Sequence, residues 1–390
     1  MINIANMMKK QEGEMKRLGI FCFYDKEGIV DSYIEYLLGE LMTVLDRLII
    51  VVNGQVNEGG KHIFFRYTNE LIIRENKGFD AGAYYDVIVH VLGRTILDWD
   101  ELVLCNDTFF GPFVPMKSIF EKMKRKQVDF WGLNEIDNKM MSHIQSYFLV
   151  FGYRILQSGE LTQYFQANIN PLTDDIAEVL AKFEQGLFLH LIGKQYSYGA
   201  YCDTELCYIY ESPDICLERF GFPVLKKKAF SKEDNTKVAI NAVRYVRQCT
   251  NYDIAHILQS VQRLYGLCLS QEVLSEYISA SLGDVYRSVS CRFSEAELNA
   301  CIGNRGFYIY GVGICGRILY YKYAFKNEGL KGFVVSDTER IENPVVCGFP
   351  VFHYGEIDKN SLVVLGVGKR LTEILKPGLD KKTSYIELWE

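Results

Sequence analysis

The sequence predicts an α/β protein built on a sheet with substantial parallel pairing, followed by a helical connector and a small second α/β unit. Three observations predict it. Buried-strand and amphipathic-helix patterns alternate through roughly the first 110 residues. Polar side chains recur where each of those strands ends. Near the C-terminus a Gly-x-Gly-x-x-Gly run lies between a strand pattern and a helix pattern. At 390 residues the chain exceeds the size at which a single core keeps growing. The expected division is 1–230, a connector over 231–302, and 303–390.

The elements read in order. LGIFCFYD (18–25) is a buried strand, and IVDSYIEYLLGELMTVL (29–45) places Ile34, Leu37, Leu38, Leu41 and Leu45 at helical spacing. RLIIVVN (47–53) and NELIIREN (69–76) are the second and third strands, DAGAYYDVIVHVLG (80–93) a helix, and ELVLCND (101–107) the fourth strand. VDFWGLN and SYFLVFG read as further strands. In TDDIAEVLAKFEQGLFLHLIG (173–193), a helix at about 100° per residue gathers Ile176, Leu180, Phe183, Leu187 and Leu191 into one apolar arc. Glu184 falls at the edge of that arc, between Leu191 and Phe188. VAINAVRYVRQC and IAHILQSVQRLYGLCL supply the connector's helical periodicity.

Open sheets of this kind bind ligands beyond the carboxyl ends of their strands. Tyr24 and Asp25 stand there after the first strand, Asn53 and Gly54 after the second, Asn76 to Asp80 after the third, and Asn106 with Asp107 after the fourth. Turn and cap chemistry explains such residues at one edge, whereas four in succession favour a site. Gly78 and Gly82 allow the backbone to pass close to a ligand, and Asp80 supplies a charge, or an N-cap, at a helix start. Asn106-Asp107-Thr108 offers hard oxygen ligands of the kind Mg²⁺ or Mn²⁺ takes together with substrate phosphate. A metal there would neutralise a departing diphosphate. Burial of Glu184 would raise its pKa toward the range of a general base, unless it sits at the stripe's rim and reaches solvent. His190, in the same arc, reads as a satisfied core histidine rather than a catalytic one.

Composition bounds the partners. A formal charge of -6 argues against a general nucleic-acid binder. Eleven scattered cysteines without a C-x-x-C pair read as reduced, cytosolic thiols. The aromatics read mainly as core. MINIANMMKKQEGEMKR lacks the apolar centre of a secretory signal, and no apolar run approaches the roughly 20 residues that span a bilayer. A cytoplasmic protein, peripheral at most to the inner face of the plasma membrane, is expected. GFPVLKKKAF (221–230) could touch an anionic lipid surface or a diphosphate, although three lysines more often form a solvated face.

NKGFDAGAYYD, VLCNDTFFGPF, DFWGL and HIQSYFLVF, in this order, resemble the rhamnan synthesis F family of glycosyltransferases, and GFPVLKKKAF resembles the stretch that closes its conserved region. The likeness covers about residues 18 to 230. It implies a GT-A-like Rossmann-type mixed sheet and an enzyme that builds rhamnose-containing cell-surface polysaccharide from a nucleotide-sugar such as a dTDP- or UDP-sugar. The implied acceptor is a glycan or lipid-linked glycan, met at the membrane or in an assembly complex. Carried over by position, Asn76, Gly78 and Asp80 belong to the nucleotide-sugar site; Tyr24, Asp25 and Asn53 join them as candidates from the strand-end reading alone. Asn106-Asp107-Thr108 stands in for the Asp-x-Asp metal motif, with Asp107 as the ligand, although Asn and Thr replace the two aspartates of that pattern. Glu184 matches the base of inverting enzymes. His143, Gln145 and Ser146 are donor or acceptor contacts, or core and capping residues.

In the C-terminal unit, Gly311, Gly313 and Gly316 form the turn of YIYGVGICGR, and Asp337 follows where a dinucleotide site places its ribose carboxylate. The unit resembles the short Rossmann-like modules appended to sugar-processing enzymes. It is too short for a full dinucleotide domain and shows no Tyr-x-x-x-Lys pair, so a structural or docking module is expected rather than an active NAD site. Two other readings stay open: a non-catalytic nucleotide-sugar-binding subunit, and an NAD-linked sugar-modifying enzyme centred on this unit.

Overall fold

A computed structural model describes residues 15–136, 142–202, 209–210, 212–231, 233–270, 273–274, 295–320, 328–341, 343–358, 360–367, 369–379 and 384–387. The chain divides into two compact units. The first comprises Met1–Cys207, Gly221–Lys228 and Cys249–Leu269, and the second Tyr208–Phe220, Ala229–Gln248 and Ser270–Glu390.

In the first unit, β1 (Arg17–Phe23), β2 (Arg47–Asn53), β3 (Leu71–Arg74) and β4 (Glu101–Asn106) are mutually parallel in the order β3-β2-β1-β4. The sheet then turns antiparallel through β8 (Phe148–Gly152) and β6 (Phe130–Ile136). β7 (His143–Ile144) and β9 (Tyr198–Cys202) both pair with β6, which makes eight strands. Off this sheet, β5 (Phe109–Phe110) pairs antiparallel with β10 (Leu225–Lys226). The expected mixed sheet is present, and its central strands are buried from the second residue on because both faces are covered.

Helix α1 (Ser32–Met42) buries Tyr33, Ile34, Leu37, Leu38 and Leu41, and Leu45 is buried just beyond it, which is the face its spacing predicts. Helix α2 (Glu58–Phe65) is capped by Asn57, whose Oδ1 accepts from the Gly60 amide at 2.7 Å. Helix α3 (Phe79–Tyr85) runs on into a π-helical segment over Asp86–Leu92.

The helix expected over 173–193 is α-helical at Ile176–Val179, π-helical at Leu180–Gly186 and α-helical again at Leu187–Gly193. The wide turn rotates the stripe. Ile176 and Leu180, expected inside, are 53% and 42% exposed, while Val179, Phe183, Leu187, Phe188 and Leu191 are buried. His190 is half-buried, with Nε2 2.9 Å from Glu160 Oε2, at the rim rather than in the core.

The connector's helical character is present, but its two described halves belong to different units. The helix Glu233–Cys249 falls almost wholly in the second unit, and Ala255–Tyr265 lies in the first. Residues 271–272 and 275–294 of that stretch, and the N-terminal residues 1–14, lie outside the described residues. Among the described residues no disulfide joins cysteines, and no helix is long and apolar enough to cross a membrane.

The second unit holds a six-stranded sheet in the order β13-β14-β12-β11-β15-β16, from β11 (Phe307–Tyr310), β12 (Leu330–Val335), β13 (Val345–Val346), β14 (Phe349–His353), β15 (Leu362–Leu365) and β16 (Ser384–Glu387). All its pairings are parallel except β13 with β14. This is the expected Rossmann-like arrangement. Its glycines are accounted for largely by packing of the chain on itself. A Cβ on Gly316 would stand 1.9 Å from the Gly311 carbonyl oxygen, and one on Gly311 2.6 Å from Val367, while Gly313 faces open space. Exposed Asp337 accepts from the Gly355 amide at 2.6 Å.

Candidate active site

The carboxyl edge of the first unit's sheet gathers several of the residues singled out above. At the end of β4, Asn106 donates from Nδ2 to Asp80 Oδ2 at 2.9 Å, and its Oδ1 accepts from the Thr108 hydroxyl at 2.7 Å and the Thr108 amide at 3.2 Å. Asp80 is not the N-cap of α3; Gly78 holds that place, and Asp80 Oδ1 accepts from the Ala81 amide at 2.9 Å. Glu184 sits on the π-helical segment, a widened turn of the sort that often re-aims a functional side chain. Its Oε2 accepts from the Ser146 amide at 2.8 Å and hydroxyl at 2.7 Å, and Oε1 lies 3.1 Å from His143 Nε2.

Two lysines complete the cluster. The β5–β10 ladder sets Lys226 opposite Phe109, and the Lys227 amide donates to the Thr108 carbonyl at 3.0 Å. Lys226 Nζ donates to the Thr108 hydroxyl and stands 3.7 Å from the Tyr147 ring centroid. Lys227 Nζ donates to Asp107 Oδ2 and to the Tyr33 hydroxyl, both at 2.7 Å; that hydroxyl in turn donates to the Asp107 carbonyl at 3.0 Å. Lys226 is 4% exposed and Lys227 half-buried, so neither forms the solvated face expected of the KKK run.

The charges read one another. Burial pushes the Lys226 ammonium down to about 7, and Lys227 pushes the same way, against the pull of Glu184, Asp107 and Asp80. Asp80 and Asp107 are tied to the end of β4 through Asn106 and Lys227, and Glu184 lies near enough to act electrostatically on Lys226 and Asp80. Burial raises the Asp80 carboxyl, opposed by the Asn106 and Ala81 hydrogen bonds and reinforced by Glu184. Burial also acts to raise Glu184, but the hydrogen bonds from His143 and Ser146 outweigh it, so this carboxyl lies below its ordinary value. That corrects the expected upward shift: three donors stabilise the anion more than desolvation penalises it.

Other candidate residues serve the framework. Buried Asn53 donates to the Phe79 carbonyl at 2.8 Å and accepts from Arg74 at 2.7 Å; Arg74 also binds Asp86 at 2.6 Å and the Lys77 carbonyl at 2.8 Å. This lattice holds the turn that delivers Asp80. Its glycines serve the chain itself: Gly78 adopts φ 76°, and a Cβ on Gly82 would lie 2.3 Å from the Lys77 carbonyl oxygen. Gly82→Ala is accordingly expected to destabilise by about 1–3 kcal/mol, read as a shift in the urea midpoint. Asn76 lies partly exposed in the same turn. Asp25 is buried, and burial acts to raise its carboxyl, but Arg263 and the Ile29 and Glu27 amides hold it below the ordinary range. Tyr24 stands exposed beside it. Gln145 is buried and accepts from Asn134 at 2.7 Å, and His143 and Ser146 orient Glu184, so the HIQSY stretch supports the site from behind. Gly311, Gly313, Gly316 and Asp337 belong to the other unit.

The oxygen cluster does not fit a divalent cation. Asp107 is ion-paired with Lys227, both ends of the Asn106 amide are engaged, and the Thr108 hydroxyl is held by Lys226. Among the described residues no three carboxylate, imidazole or thiol groups converge as metal ligands. The expectation that Asp107 binds the metal therefore meets an ammonium in the cation's place. A cleft of about 280 Å³ elsewhere, lined by Arg17, Glu101, Trp131 and Arg154, lies at the amino ends of β1 and β4. Open sheets of this type bind their ligands at the opposite edge.

Comparison with known proteins supplies the family. A curated protein of Sinorhizobium fredii, the uncharacterized protein y4gN, is 25% identical over 173 residues, 43% of this chain and 43% of its own. The virulence protein VirA of Vibrio anguillarum is 27% identical over 180 residues, 46% of this chain and 57% of its own. The chain thus spans about half the length of the curated relatives it matches. Among solved structures, a provisionally named nucleotide-diphospho-sugar transferase from Desulfovibrio desulfuricans G20 aligns over 59% of this chain and 97% of its own, at 12% identity and a TM-score of 0.28. A 4-diphosphocytidyl-2C-methyl-D-erythritol synthase from Anaerococcus prevotii aligns over 43% and 82%, at 11% identity and a TM-score of 0.28. These scores are too low to bear on the site. The profile of rhamnan synthesis protein F matches residues 48–288, more than half of the chain, starting later and ending later than the 18–230 expected from motifs, and the chain belongs to that family.

Proposed function

We propose that the protein is a glycosyltransferase that moves a sugar, rhamnose in keeping with the family's name, from a dTDP- or UDP-sugar to a glycan or lipid-linked glycan acceptor of a cell-surface polysaccharide. The reading rests on one observation above the others: at the carboxyl end of β4, Asn106 holds Asp80, Lys227 pairs with Asp107 and Lys226 reaches Thr108, with Glu184 held by Ser146 and His143. The reaction is a single in-line displacement with inversion. The acceptor oxygen forms the bond to the anomeric carbon and gives its proton to Glu184, while the bond from that carbon to the diphosphate oxygen breaks and its electron pair leaves with the nucleoside diphosphate. His143 and Ser146 are positioning residues that keep the Glu184 carboxylate ionised and aimed. Asp80 and Asn106, hydrogen-bonded to each other, shape the donor side of the site. The site would work at the cytoplasmic face of the membrane, where lipid-linked acceptors are reached.

The test is a panel of labelled nucleotide-sugars incubated with the full chain, with release of nucleoside diphosphate followed over time. Release from one donor, lost in Glu184→Gln, is the expected result. A panel in which nothing is bound and nothing released removes the reading.

A further inference from the structure

The three lysines that close the family's matched motifs are not spread over a surface. Two are built into the cluster by backbone pairing, since β10 is laid against β5 immediately after Asn106-Asp107-Thr108. Lys227 reaches Asp107 at 2.7 Å from a side chain that is 16% exposed. Lys226 is nearly sealed, and Thr108 accepts one of the three protons an ammonium can donate. Burying such a charge is costly, and a fold does not need it merely to shape a two-residue ladder.

We propose that Lys226 and Lys227 bind the diphosphate of the nucleotide-sugar and stabilise the departing nucleoside diphosphate, doing with two ammonium groups what a divalent cation does at an Asp-x-Asp motif. The proposal rests on the nucleotide-sugar reading above. As the glycosidic bond to the diphosphate breaks, its electron pair settles on a phosphate oxygen. The lysine N–H groups hydrogen-bond that oxygen, Lys226 in the protonated form that the charge of a bound diphosphate favours, and the acceptor's proton still goes to Glu184. No co-reactant is required. Asp107 then serves to orient Lys227 rather than to ligate a metal, which gives a reason for Asn and Thr at the positions flanking it.

Calorimetric titration of the full chain with UDP, dTDP, GDP and CDP, once in EDTA and once in Mn²⁺, tests this without any turnover. The expected result is binding of one nucleotide with affinities within about threefold in the two buffers, below the range of a real coupling. In EDTA, Lys227→Gln and Lys226→Met are each expected to weaken that binding about tenfold or more, and Lys227→Arg to recover most of it. Thermal melts establish that each variant is folded; where one is not, the comparison of EDTA with Mn²⁺ on the unaltered chain decides. Binding that appears only with Mn²⁺ overturns the lysine proposal and leaves the nucleotide-sugar reading standing, as does full affinity in both folded lysine variants. Failure to bind any of the four nucleotides in either buffer overturns both.

Discussion

Glu184→Gln is expected to lower the rate of nucleoside diphosphate release by about 10²–10⁴-fold, the usual contribution of a general base, with little change in donor affinity. The replacement is nearly isosteric, and its carbonyl oxygen can still accept from Ser146, so the fold should persist. If Glu184 were only a structural anchor, Gln would lower the melting temperature and leave the rate of the folded fraction intact. The two outcomes separate cleanly when rate and melt are measured on one preparation.

The pH profile gives a second readout of the same residue. Hydrogen bonds hold the Glu184 carboxyl below its ordinary value despite burial, so it is fully ionised throughout the neutral and mildly acidic range. The rate should therefore stay flat on the acid side until pH falls below the ordinary carboxylate range. An acid limb near neutrality that survives in Glu184→Gln would transfer the base role to another group. Stability follows the same sign: a depressed carboxylate stabilises the folded state above its unfolded pKa, and that contribution is lost only as pH falls through the lowered value.

What could be read in advance divides along a physical line. Strands β1, β2 and β4 are buried runs between turn residues, so local pattern sufficed to bound them within two residues. Asp80, Asp107 and Glu184 were legible for a related reason: a carboxylate at a strand end or on the rim of an apolar stripe conflicts with its surroundings and demands an explanation. The rest depends on contacts far apart in the chain. Lys226 and Lys227 look like solvated charges until a strand more than a hundred residues away pairs beside them. The exposure of Ile176 and Leu180 follows from a π-helical turn, which a fixed angle per residue cannot anticipate. Gly78 and Gly82 were expected to let the backbone pass close to a ligand, whereas the groups that crowd them belong to the chain itself, Leu172 and Gly82 at Gly78 and the Lys77 carbonyl at Gly82.

Arg263 is the clearest case of distant chain completing the first unit, and Arg263→Ala is expected to cost about 3 kcal/mol, the scale for stripping a buried pair of its partner. Its guanidinium donates to Asp25 Oδ2 at 2.7 Å and to Asp31 Oδ2 at 2.8 Å, and both carboxylates are largely withdrawn from water after β1. Asp31 stands where α1 would take its N-cap, yet makes no capping hydrogen bond and is spent on Arg263 instead. The same helix meets α1 again through His256 and Ser32, 2.8 Å apart. Loss of the guanidinium leaves two carboxylates without their cation at the mouth of the first βα turn, where Tyr24 and Asp25 were expected to meet the nucleotide. Urea unfolding of the variant should give a lower midpoint at pH 7. Because Asp25 lies below its ordinary pKa, the stability it draws from Arg263 is present above the usual carboxylate range and disappears as pH falls through the depressed value. Wild type and variant should therefore converge in acid, and a difference that persists undiminished at low pH would mean that Arg263 acts through packing rather than charge.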